Sequence, residues 1–254
     1  MQLGGAVAIV TGGGTGIGRA VGECLARAGA RAVVVNYSRS VEEARSTAAA
    51  LSELGCEGVP YQASVADEDA VKAMVGDTVE RFGRLDVLVN NAGTTRFIPH
   101  ADLNALTREV WDEVLSVNLL GTFYCCRAAA PALKEARGAI VNIASIAGVR
   151  ASGSSIVYGV SKAAVLQLTR NLAVALAPEV RVNAVAPGLV STRWFRNPFG
   201  EEAAAAQEER IASGTPMGQV SSADHVAQAV MGFLGADLVS GESVVVDGGR
   251  HVVY

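Results

Sequence analysis

Short apolar runs rich in valine and isoleucine recur along the chain and alternate with longer segments of helical periodicity. The runs lie at 6–10, 31–36, 58–62, 85–90, 139–144, 180–186 and 243–247. The helical patterns lie between them, at 16–28, 41–54, 67–82, 107–135, 155–177 and 223–235. Strand-sized runs that alternate with helices predict right-handed βαβ units. We therefore expect an α/β fold with a parallel sheet covered by helices on both faces.

No linker, repeat or low-complexity tract interrupts this alternation, so residues 1–254 are predicted to form a single domain. The exception to the regular pattern is segment 187–220, which holds three of the seven prolines. It also contains the aromatic residues Trp194, Phe195 and Phe199. A long excursion of this kind predicts a substrate loop or lid around 188–215.

The bulk properties exclude several classes of protein. The net charge is −4 and no basic block stands out, which argues against nucleic acid as a partner. The apolar stretches are too short to span a membrane, and the N-terminal segment lacks the basic region of a signal peptide. The four cysteines and three histidines show no metal-binding spacing. We expect a cytoplasmic protein with reduced thiols and no metal site.

The first apolar run leads into a glycine-rich segment, VTGGGTGIG, from Val10 to Gly18. Glycine tolerates positive φ and has no Cβ, so such a turn can bring bare backbone close to a ligand. The following helix offers free N–H groups and a positive dipole end, which favour phosphate. The alternative is a flexible turn without a ligand, and the spacing G-x-x-x-G-x-G is not the usual dinucleotide pattern. We expect a pyrophosphate site made by Gly12, Gly14, Thr15, Gly16, Ile17 and Gly18.

Further motifs follow this loop in order along the chain. They are VNNAG at 89–93, Asn118 in SVNLLG, Ser145 in NIASIAG, YGVSK at 158–162 and VAPG at 185–188. With the glycine loop they resemble the short-chain dehydrogenase/reductase family, over essentially the whole chain to GESVVVDGG at 241–249. Each motif alone is weak, but their order, with Ser145 thirteen residues before Tyr158, is highly specific.

The resemblance implies a Rossmann-type, doubly wound sheet of seven parallel strands in a homo-oligomer, a dimer or tetramer. Segments 107–135 and 155–177 would form its interface. It also implies that Lys162 holds the nicotinamide ribose and that Asn118 supports a water relay to Lys162. Further coenzyme contacts implied by the family are Ser64 and Val65 beside the adenine, Asn91, Ala92 and Gly93 at the adenosine ribose, and Pro187, Gly188, Val190 and Thr192 at the nicotinamide carboxamide.

Tyr158 and Lys162 are four residues apart in a helical pattern and therefore share one face. A nearby ammonium favours the phenolate, so we expect Lys162, together with the positive nicotinamide ring of an oxidised coenzyme, to lower the pKa of Tyr158 from its ordinary value of about 10. Tyr158 would then exchange a proton with a carbonyl or alcohol oxygen, and Ser145 would hydrogen-bond the same oxygen. Taken singly, Tyr158 and Lys162 would indicate a surface pair and Ser145 a turn residue. Their joint occurrence favours catalysis.

The coenzyme type depends on the end of the second strand, where an acidic residue would bind a ribose 2′-hydroxyl and repel a 2′-phosphate. That position holds Asn36, and Arg39 lies three residues further on. Arg39 can neutralise a phosphate with paired hydrogen bonds. The segment Asn36, Tyr37, Ser38 and Arg39 therefore favours NADP(H), with NAD(H) as the alternative because the glycine loop holds no basic residue.

The substrate wall is predicted from Thr94 and Thr95, segment 145–155 and loop 188–215. Arg150, Arg193 and Arg196 are the charged residues there that could face the reacting centre. Two substrate classes stay open: a 3-oxoacyl thioester on acyl carrier protein, or a free ketone, sugar or cyclic alcohol. A nucleotide-binding sensor without turnover is the third alternative, which the complete Ser-Tyr-Lys set disfavours.

Overall fold

The strands predicted from the apolar runs are all present. A computed structural model describes residues 1–253, apart from the side chains of residues 197–199. The strands are β1 (Val7–Val10), β2 (Ala32–Tyr37), β3 (Glu57–Gln62), β4 (Val87–Asn90), β5 (Ala139–Ile143), β6 (Arg181–Pro187) and β7 (Ser243–Val246). They form one parallel sheet in the order β3-β2-β1-β4-β5-β6-β7. The predicted α/β fold with seven parallel strands is confirmed.

Helices connect the strands, as the periodicity predicted. They are α1 (Gly16–Arg27), α2 (Val41–Glu53), α3 (Glu68–Phe82), α4 (Arg108–Leu115), α5 (Thr122–Ala136), α6 (Ile156–Ala175), α7 (Arg193–Phe199), α8 (Glu201–Ser213) and α9 (Ala223–Gly235). A π-helical segment, Ser116–Gly121, joins α4 to α5, and a short 3-10 turn, Ile146–Gly148, follows β5.

Both faces of the five inner strands are buried, since successive side chains point to opposite sides and helices cover each side, whereas the edge strands β3 and β7 are partly exposed. In β1, Ala8 and Val10 belong to one apolar cluster, and Val7 and Ile9 belong to another. The first cluster packs against α1, α2 and α9, and the second against α3, α5 and α6. This double burial explains why the strands are continuous apolar runs rather than alternating ones.

Two predictions about local structure need correction. Segment 107–135 was predicted as one helix, but the π-helical segment Ser116–Gly121 interrupts it and widens one turn. Segment 187–220 was predicted to be irregular, but it contains α7 and α8, separated at Gly200 with φ of +78°. The predicted lid is therefore mostly helical. No described helix is both long and apolar enough to cross a membrane.

The order of the strands reverses between β1 and β4, which pair with each other at the centre of the sheet. The connections from these two strands leave toward opposite sides, so a crevice opens beyond their carboxyl ends. The glycine loop follows β1 and residues 91–93 follow β4. Both predicted coenzyme segments therefore line the same crevice.

The core of this sheet can be tested with two leucines that differ only in burial. Leu88 in β4 is fully buried, and Leu238 is fully exposed. Leu88→Ala should lower the free energy of unfolding by about 2–5 kcal/mol, because it removes packed atoms and leaves a cavity. Leu238→Ala should change it by less than about 0.5 kcal/mol. Urea unfolding measures both, and equal effects would contradict this description of the core.

Candidate active site

The glycine loop turns tightly between β1 and α1. Gly12 and Gly16 have φ values of +60° and +51°, a region that favours glycine. The first turn of α1 contains no acidic residue, so its free N–H groups face no carboxylate of their own helix. Thr15 is the N-cap residue of α1 but its side chain makes no capping bond. The backbone there is suited to an anionic group such as a pyrophosphate.

Gly18 allows α1 to begin against the loop. A Cβ at Gly18 would lie 2.4 Å from the Gly12 carbonyl oxygen and 2.7 Å from Asn91 Nδ2. Asn91 Nδ2 donates to the carbonyl oxygens of Thr11 and Gly12, at 3.0 Å each. The Asn91 side chain thus fixes the loop from the end of β4, a structural role that the family resemblance did not give it.

Asn36, near the end of β2, lies against the glycine loop. It is buried, and its Nδ2 donates to the Ala63 carbonyl oxygen at 2.9 Å. Its Oδ1 accepts a bond from the Gly12 N–H at 3.4 Å. Because β2 continues through Tyr37, Asn36 faces the glycine loop rather than the open end of the strand. The Asn36 side chain therefore supports the glycine loop, and its contact with the coenzyme stays a prediction.

The open end of β2 is formed by Tyr37, Ser38 and Arg39. Tyr37 is partly buried, and Ser38 and Arg39 are exposed. Within the part of the chain that the structure describes, the Arg39 guanidinium has no ion-pair partner. A free cation at this strand end can receive an anionic group of a ligand.

Ser145 leaves the end of β5 and begins the 3-10 turn. Its Oγ accepts a hydrogen bond from the Ala147 N–H at 3.1 Å, and the residue is 9% exposed. The turn lies against α6, since a Cβ at Gly148 would lie 2.6 Å from the Lys162 carbonyl carbon. This close backbone contact holds Ser145 at a fixed position relative to Tyr158 and Lys162.

Tyr158 and Lys162 project from one face of α6. The helix starts at the N-cap residue Ser155, whose Oγ accepts a bond from the Tyr158 N–H at 3.3 Å. Lys162 is buried, and its Nζ donates to the Ile143 carbonyl oxygen at 2.8 Å. The Nζ lies 5.8 Å from the centroid of the Tyr158 ring. Ser145, Tyr158 and Lys162 therefore meet where β5 ends.

Burial controls the ionisation of this group. Burial raises the pKa of the Tyr158 phenol above its ordinary value of 10, and a hydrogen bond with Ser145 opposes part of the rise. Burial also lowers the pKa of the Lys162 ammonium to about 8. The lowering expected from Lys162 together with the oxidised coenzyme is not present in the protein groups by themselves, where burial is the largest influence on the Tyr158 pKa. At neutral pH Tyr158 is a neutral phenol and can donate a proton.

Asn118 lies in the π-helical segment and is buried. Its Nδ2 donates to the Thr94 carbonyl oxygen at 3.0 Å, and its Oδ1 accepts from the Thr94 N–H at 2.8 Å. Nδ2 also donates to Ser161 Oγ at 2.9 Å, and Ser161 Oγ donates to the Tyr158 carbonyl oxygen at 2.7 Å. Sequence reasoning missed Ser161, although it adjoins Lys162 inside the YGVSK motif.

The other predicted coenzyme residues surround the same crevice. A Cβ at Gly93 would lie 3.4 Å from Asn118 Oδ1 and 3.8 Å from Lys162 Nζ, so bare backbone faces the catalytic group. Ala92 donates its N–H to Thr11 Oγ1 at 3.0 Å. The remaining residues lie at the carboxyl ends of β3 and β6: exposed Ser64, buried Val65 and Pro187, and partly buried Gly188, Val190 and Thr192.

The three arginines of the predicted substrate wall bind other parts of the protein. Arg150 donates to the Arg250 carbonyl oxygen, and Arg196 pairs with Glu201 and Glu208. Arg193 pairs with Glu43 in α2. Trp194 is 44% exposed, and the Phe199 side chain lies outside the described residues. The polar contacts of these three arginines are therefore with groups other than Tyr158.

No set of three histidine, cysteine or acidic residues in the described chain is arranged to hold a metal ion. The four cysteines are free thiols, of which Cys56, Cys125 and Cys126 are buried. Burial raises the pKa of the Cys125 thiol to about 12, so it carries no reactive thiolate at neutral pH.

Comparison with known proteins identifies the family. A family model described as enoyl-(acyl carrier protein) reductase matches residues 12–251. The chain is 46% identical over 248 residues to the "Granaticin polyketide synthase putative ketoacyl reductase 2" of Streptomyces violaceoruber, covering 97% of this chain and 96% of the relative. This chain belongs to the short-chain dehydrogenase/reductase family. Members of this family are oxidoreductases, so the chain is an oxidoreductase that uses a nicotinamide coenzyme.

Other relatives agree with this assignment. The 3-oxoacyl-[acyl-carrier-protein] reductase FabG of Thermotoga maritima is 36% identical to this chain over 254 residues. The match covers 98% of this chain and 99% of the relative. The crystal structure of a "putative short-chain dehydrogenase/reductase" from Burkholderia xenovorans superposes with a TM-score of 0.89 at 30% identity, covering 97% of this chain and 98% of that one. The resemblance inferred from the sequence motifs is confirmed.

The buried Lys162 ammonium of this short-chain dehydrogenase/reductase should affect how the free energy of unfolding depends on pH. Below a pH of about 8 Lys162 is charged in both the folded and unfolded states, and above 10.5 it is neutral in both. Between these values only the unfolded chain binds the proton, so the free energy of unfolding rises with pH. The free energy of unfolding of wild type, relative to that of Lys162→Met, should therefore rise by about 3 kcal/mol from pH 7 to 10.5.

Urea unfolding of both proteins at a series of pH values measures this difference. Constant effects of the substitution, such as the lost bond to Ile143, cancel in the pH dependence. Lys134→Met is the control, because Lys134 lies on α5 outside this site. A Lys162→Met difference that stays flat from pH 7 to 10.5 would contradict the lowered pKa.

Proposed function

We propose that the protein reduces a carbonyl group to a secondary alcohol, with Tyr158 as the proton donor. The meeting of Ser145, Tyr158 and Lys162 beside the crevice of the glycine loop carries this proposal. The raised pKa of the Tyr158 phenol keeps its proton at neutral pH, which suits a general acid. A protonated phenol is the form of Tyr158 that carbonyl reduction requires.

In this proposal Ser145 and Tyr158 bind the same substrate oxygen. Both hydroxyl groups can donate a hydrogen bond, so negative charge that develops on the oxygen is stabilised as Tyr158 transfers its proton. Ser145 Oγ accepts a bond from the Ala147 N–H, so its own hydrogen remains available as a donor, to Tyr158 in this structure and to a substrate oxygen in the complex. Two such donors suit a carbonyl oxygen better than a carbon–carbon double bond, the bond that the description of the family model names.

Lys162 and Asn118 would support the proton donor. The Lys162 ammonium, 5.8 Å from the Tyr158 ring centroid, stabilises the phenolate left after proton transfer. Asn118 holds the loop after β4 through its two bonds to Thr94 and holds α6 through Ser161. It thereby fixes the distance between the end of β4 and the tyrosine. A water relay from Asn118 to Lys162 is the route that we propose for restoring the proton.

The bare backbone at Gly93 supports a dinucleotide in the crevice, since a Cβ there would approach Asn118 Oδ1 and Lys162 Nζ. A nicotinamide coenzyme would supply the hydride for the carbonyl carbon. The glycine loop would hold its phosphates, Ala92 and Gly93 its riboses, and Lys162 the nicotinamide ribose hydroxyls. We favour NADP(H) over NAD(H), because the unpaired Arg39 guanidinium is available at the end of β2.

The substrate that we propose is a 3-oxoacyl thioester, carried by acyl carrier protein. Two of the relatives are named as a ketoacyl reductase and a 3-oxoacyl-[acyl-carrier-protein] reductase. A neutral reacting end also agrees with the engagement of Arg150, Arg193 and Arg196 elsewhere. A free ketone, sugar or cyclic alcohol is the alternative.

A homo-oligomer is also part of the proposal. Exposed apolar side chains lie along the π-helical segment and α6, where Leu120, Val160 and Val174 are 42%, 45% and 80% exposed. Association of subunits through these helices would remove such side chains from water. Light scattering distinguishes a monomer from a dimer or tetramer. The cytoplasmic location stays a prediction.

Tyr158→Phe tests the proposed reaction most directly. The substitution removes the hydroxyl and keeps the ring, so kcat should fall about 100- to 10,000-fold while coenzyme affinity stays within about twofold. Oxidation of NADPH with 3-oxoacyl thioesters, ketones, sugars and quinones measures turnover, and titration of coenzyme fluorescence measures binding. Tyr124→Phe, on α5, is the control. Undiminished turnover by Tyr158→Phe would contradict the mechanism, and binding without turnover in wild type would favour a sensor.

Arg39→Ala tests the proposed coenzyme. Loss of charge-assisted hydrogen bonds to a 2′-phosphate should lower kcat/KM about 10- to 100-fold with NADPH and leave the value with NADH nearly unchanged. Arg45→Ala is the matched control, since Arg45 is an exposed arginine of α2 that pairs with Glu42. Equal losses with both coenzymes would contradict the role of Arg39.

A further inference from the structure

Thr192, Arg193 and Trp194, at the start of α7, lie beside three different segments. These are the glycine loop, α2 and the residues after β4. Thr192 Cγ2 lies 3.4 Å from the position of a Cβ at Gly16, in the glycine loop. Trp194 Cη2 lies 3.8 Å from the position of a Cβ at Gly93, after β4. Between them, Arg193 extends to α2. The first turn of α7 therefore crosses the crevice from one side to the other.

Arg193 makes the polar connection of this crossing. Its Nη1 donates to the Glu43 carboxylate, and its Nη2 donates to Ser40 Oγ at 2.9 Å. Ser40 is the N-cap residue of α2, and its hydroxyl makes no capping bond within the helix. The hydrogen bond from Arg193 is the main reason that the pKa of the Glu43 carboxyl is lowered. These contacts join segments that are about 150 residues apart in sequence.

The position of Glu43 is unusual for a site that accepts phosphates. Its side chain borders the open space between the glycine loop and α2, and Glu42 and Arg19 border the same space. A carboxylate there repels an anionic ligand and weakens its binding. Pairing with Arg193 offsets this charge and ties α7 down by the same contact.

We propose that Ser40, Glu43 and Arg193 form a clasp that holds the first turn of α7 over the bound coenzyme and slows its release. Arg193 is a positioning residue, because it acts through Thr192 and Trp194 rather than on the reacting atoms. The inference rests on the proposed function in one respect, namely that the crevice binds a nicotinamide coenzyme.

The strength of the clasp follows from its exposure. The side chains of Arg193 and Glu43 are each 41% exposed, so water and salt screen their attraction. Exposed pairs of this kind change an equilibrium by about two- to fivefold. An effect of this size suits a contact that must open in each catalytic cycle, and it should decrease as the salt concentration rises.

Glu43→Gln separates the clasp from simple electrostatics, because the two predict opposite signs. Removing a negative charge beside the phosphates should slow coenzyme release if charge alone matters. Opening the clasp should speed release about two- to fivefold. Glu42→Gln is the matched control, since Glu42 is the adjacent carboxylate and pairs with Arg45 instead.

The experiment uses the full chain loaded with NADPH, whose release is followed by stopped-flow fluorescence as excess NADP⁺ displaces it. Glu43→Gln and Arg193→Gln should each speed release, and the double variant should be no faster than Arg193→Gln alone. The exchanged pair Glu43→Arg with Arg193→Glu should recover part of the loss. Hydrogen exchange of the protein without coenzyme should show faster exchange at the start of α7 in both single variants.

Each outcome of this experiment either supports or overturns the clasp. Two results would overturn the clasp and leave the proposed reaction intact. One is a Glu43→Gln variant that releases NADPH as slowly as Glu42→Gln. The other is a double variant whose release rate rises by the product of the two single effects. Loss of NADPH binding in wild type, by contrast, would overturn the proposed function and the clasp with it. We expect Glu43→Gln, but not Glu42→Gln, to release NADPH faster than wild type and to show faster hydrogen exchange in α7.

Discussion

All seven strands of the sheet run in one direction, and this single orientation determines where chemistry can occur. The carboxyl ends of β1, β4, β5 and β6 lie at one edge, so the segments that follow them converge there. Gly12, Asn91, Ser145 and Gly188 come from positions spread over most of the chain. An antiparallel pairing of any of these strands would send its residue to the opposite edge. The crevice exists because β1 and β4 are neighbours at the point where the strand order reverses.

Close backbone contacts convert this arrangement into a rigid site. The 3-10 turn after β5 touches α6 at Gly148, and α1 touches the glycine loop at Gly18. Side-chain amides connect the same parts, since Asn91 holds the loop, Asn36 holds its underside, and Asn118 joins the end of β4 to α6. The amides satisfy buried backbone groups that water cannot reach. The hydroxyls of Ser145 and Tyr158 are therefore positioned by close backbone contacts at small residues and by side-chain amides.

Lys162 places an ammonium group in a buried position, where desolvation disfavours its charge. Lys162 is buried with one carbonyl oxygen as its hydrogen-bond partner, and its pKa falls to about 8 for that reason. The same burial raises the pKa of Tyr158, so the protein presents a neutral acid beside a cation that loses its proton readily. This arrangement weakens the folded state at neutral pH and favours proton donation. The lid adds a second charged contact, at the surface, where attraction is weak and reversible.

The sequence by itself determined the fold class and the family, and it predicted the reactive residues. Buried parallel strands must be short and continuously apolar, and the motif spacing around Ser145, Tyr158 and Lys162 is specific. The tertiary structure decided what depends on neighbours distant in sequence. It showed that Asn36 faces the loop, that residues 193–213 are mostly helical, and that Arg193 reaches Glu43. It also decided the direction of the Tyr158 shift, because desolvation depends on the packing of the whole site and not on the spacing along one helix.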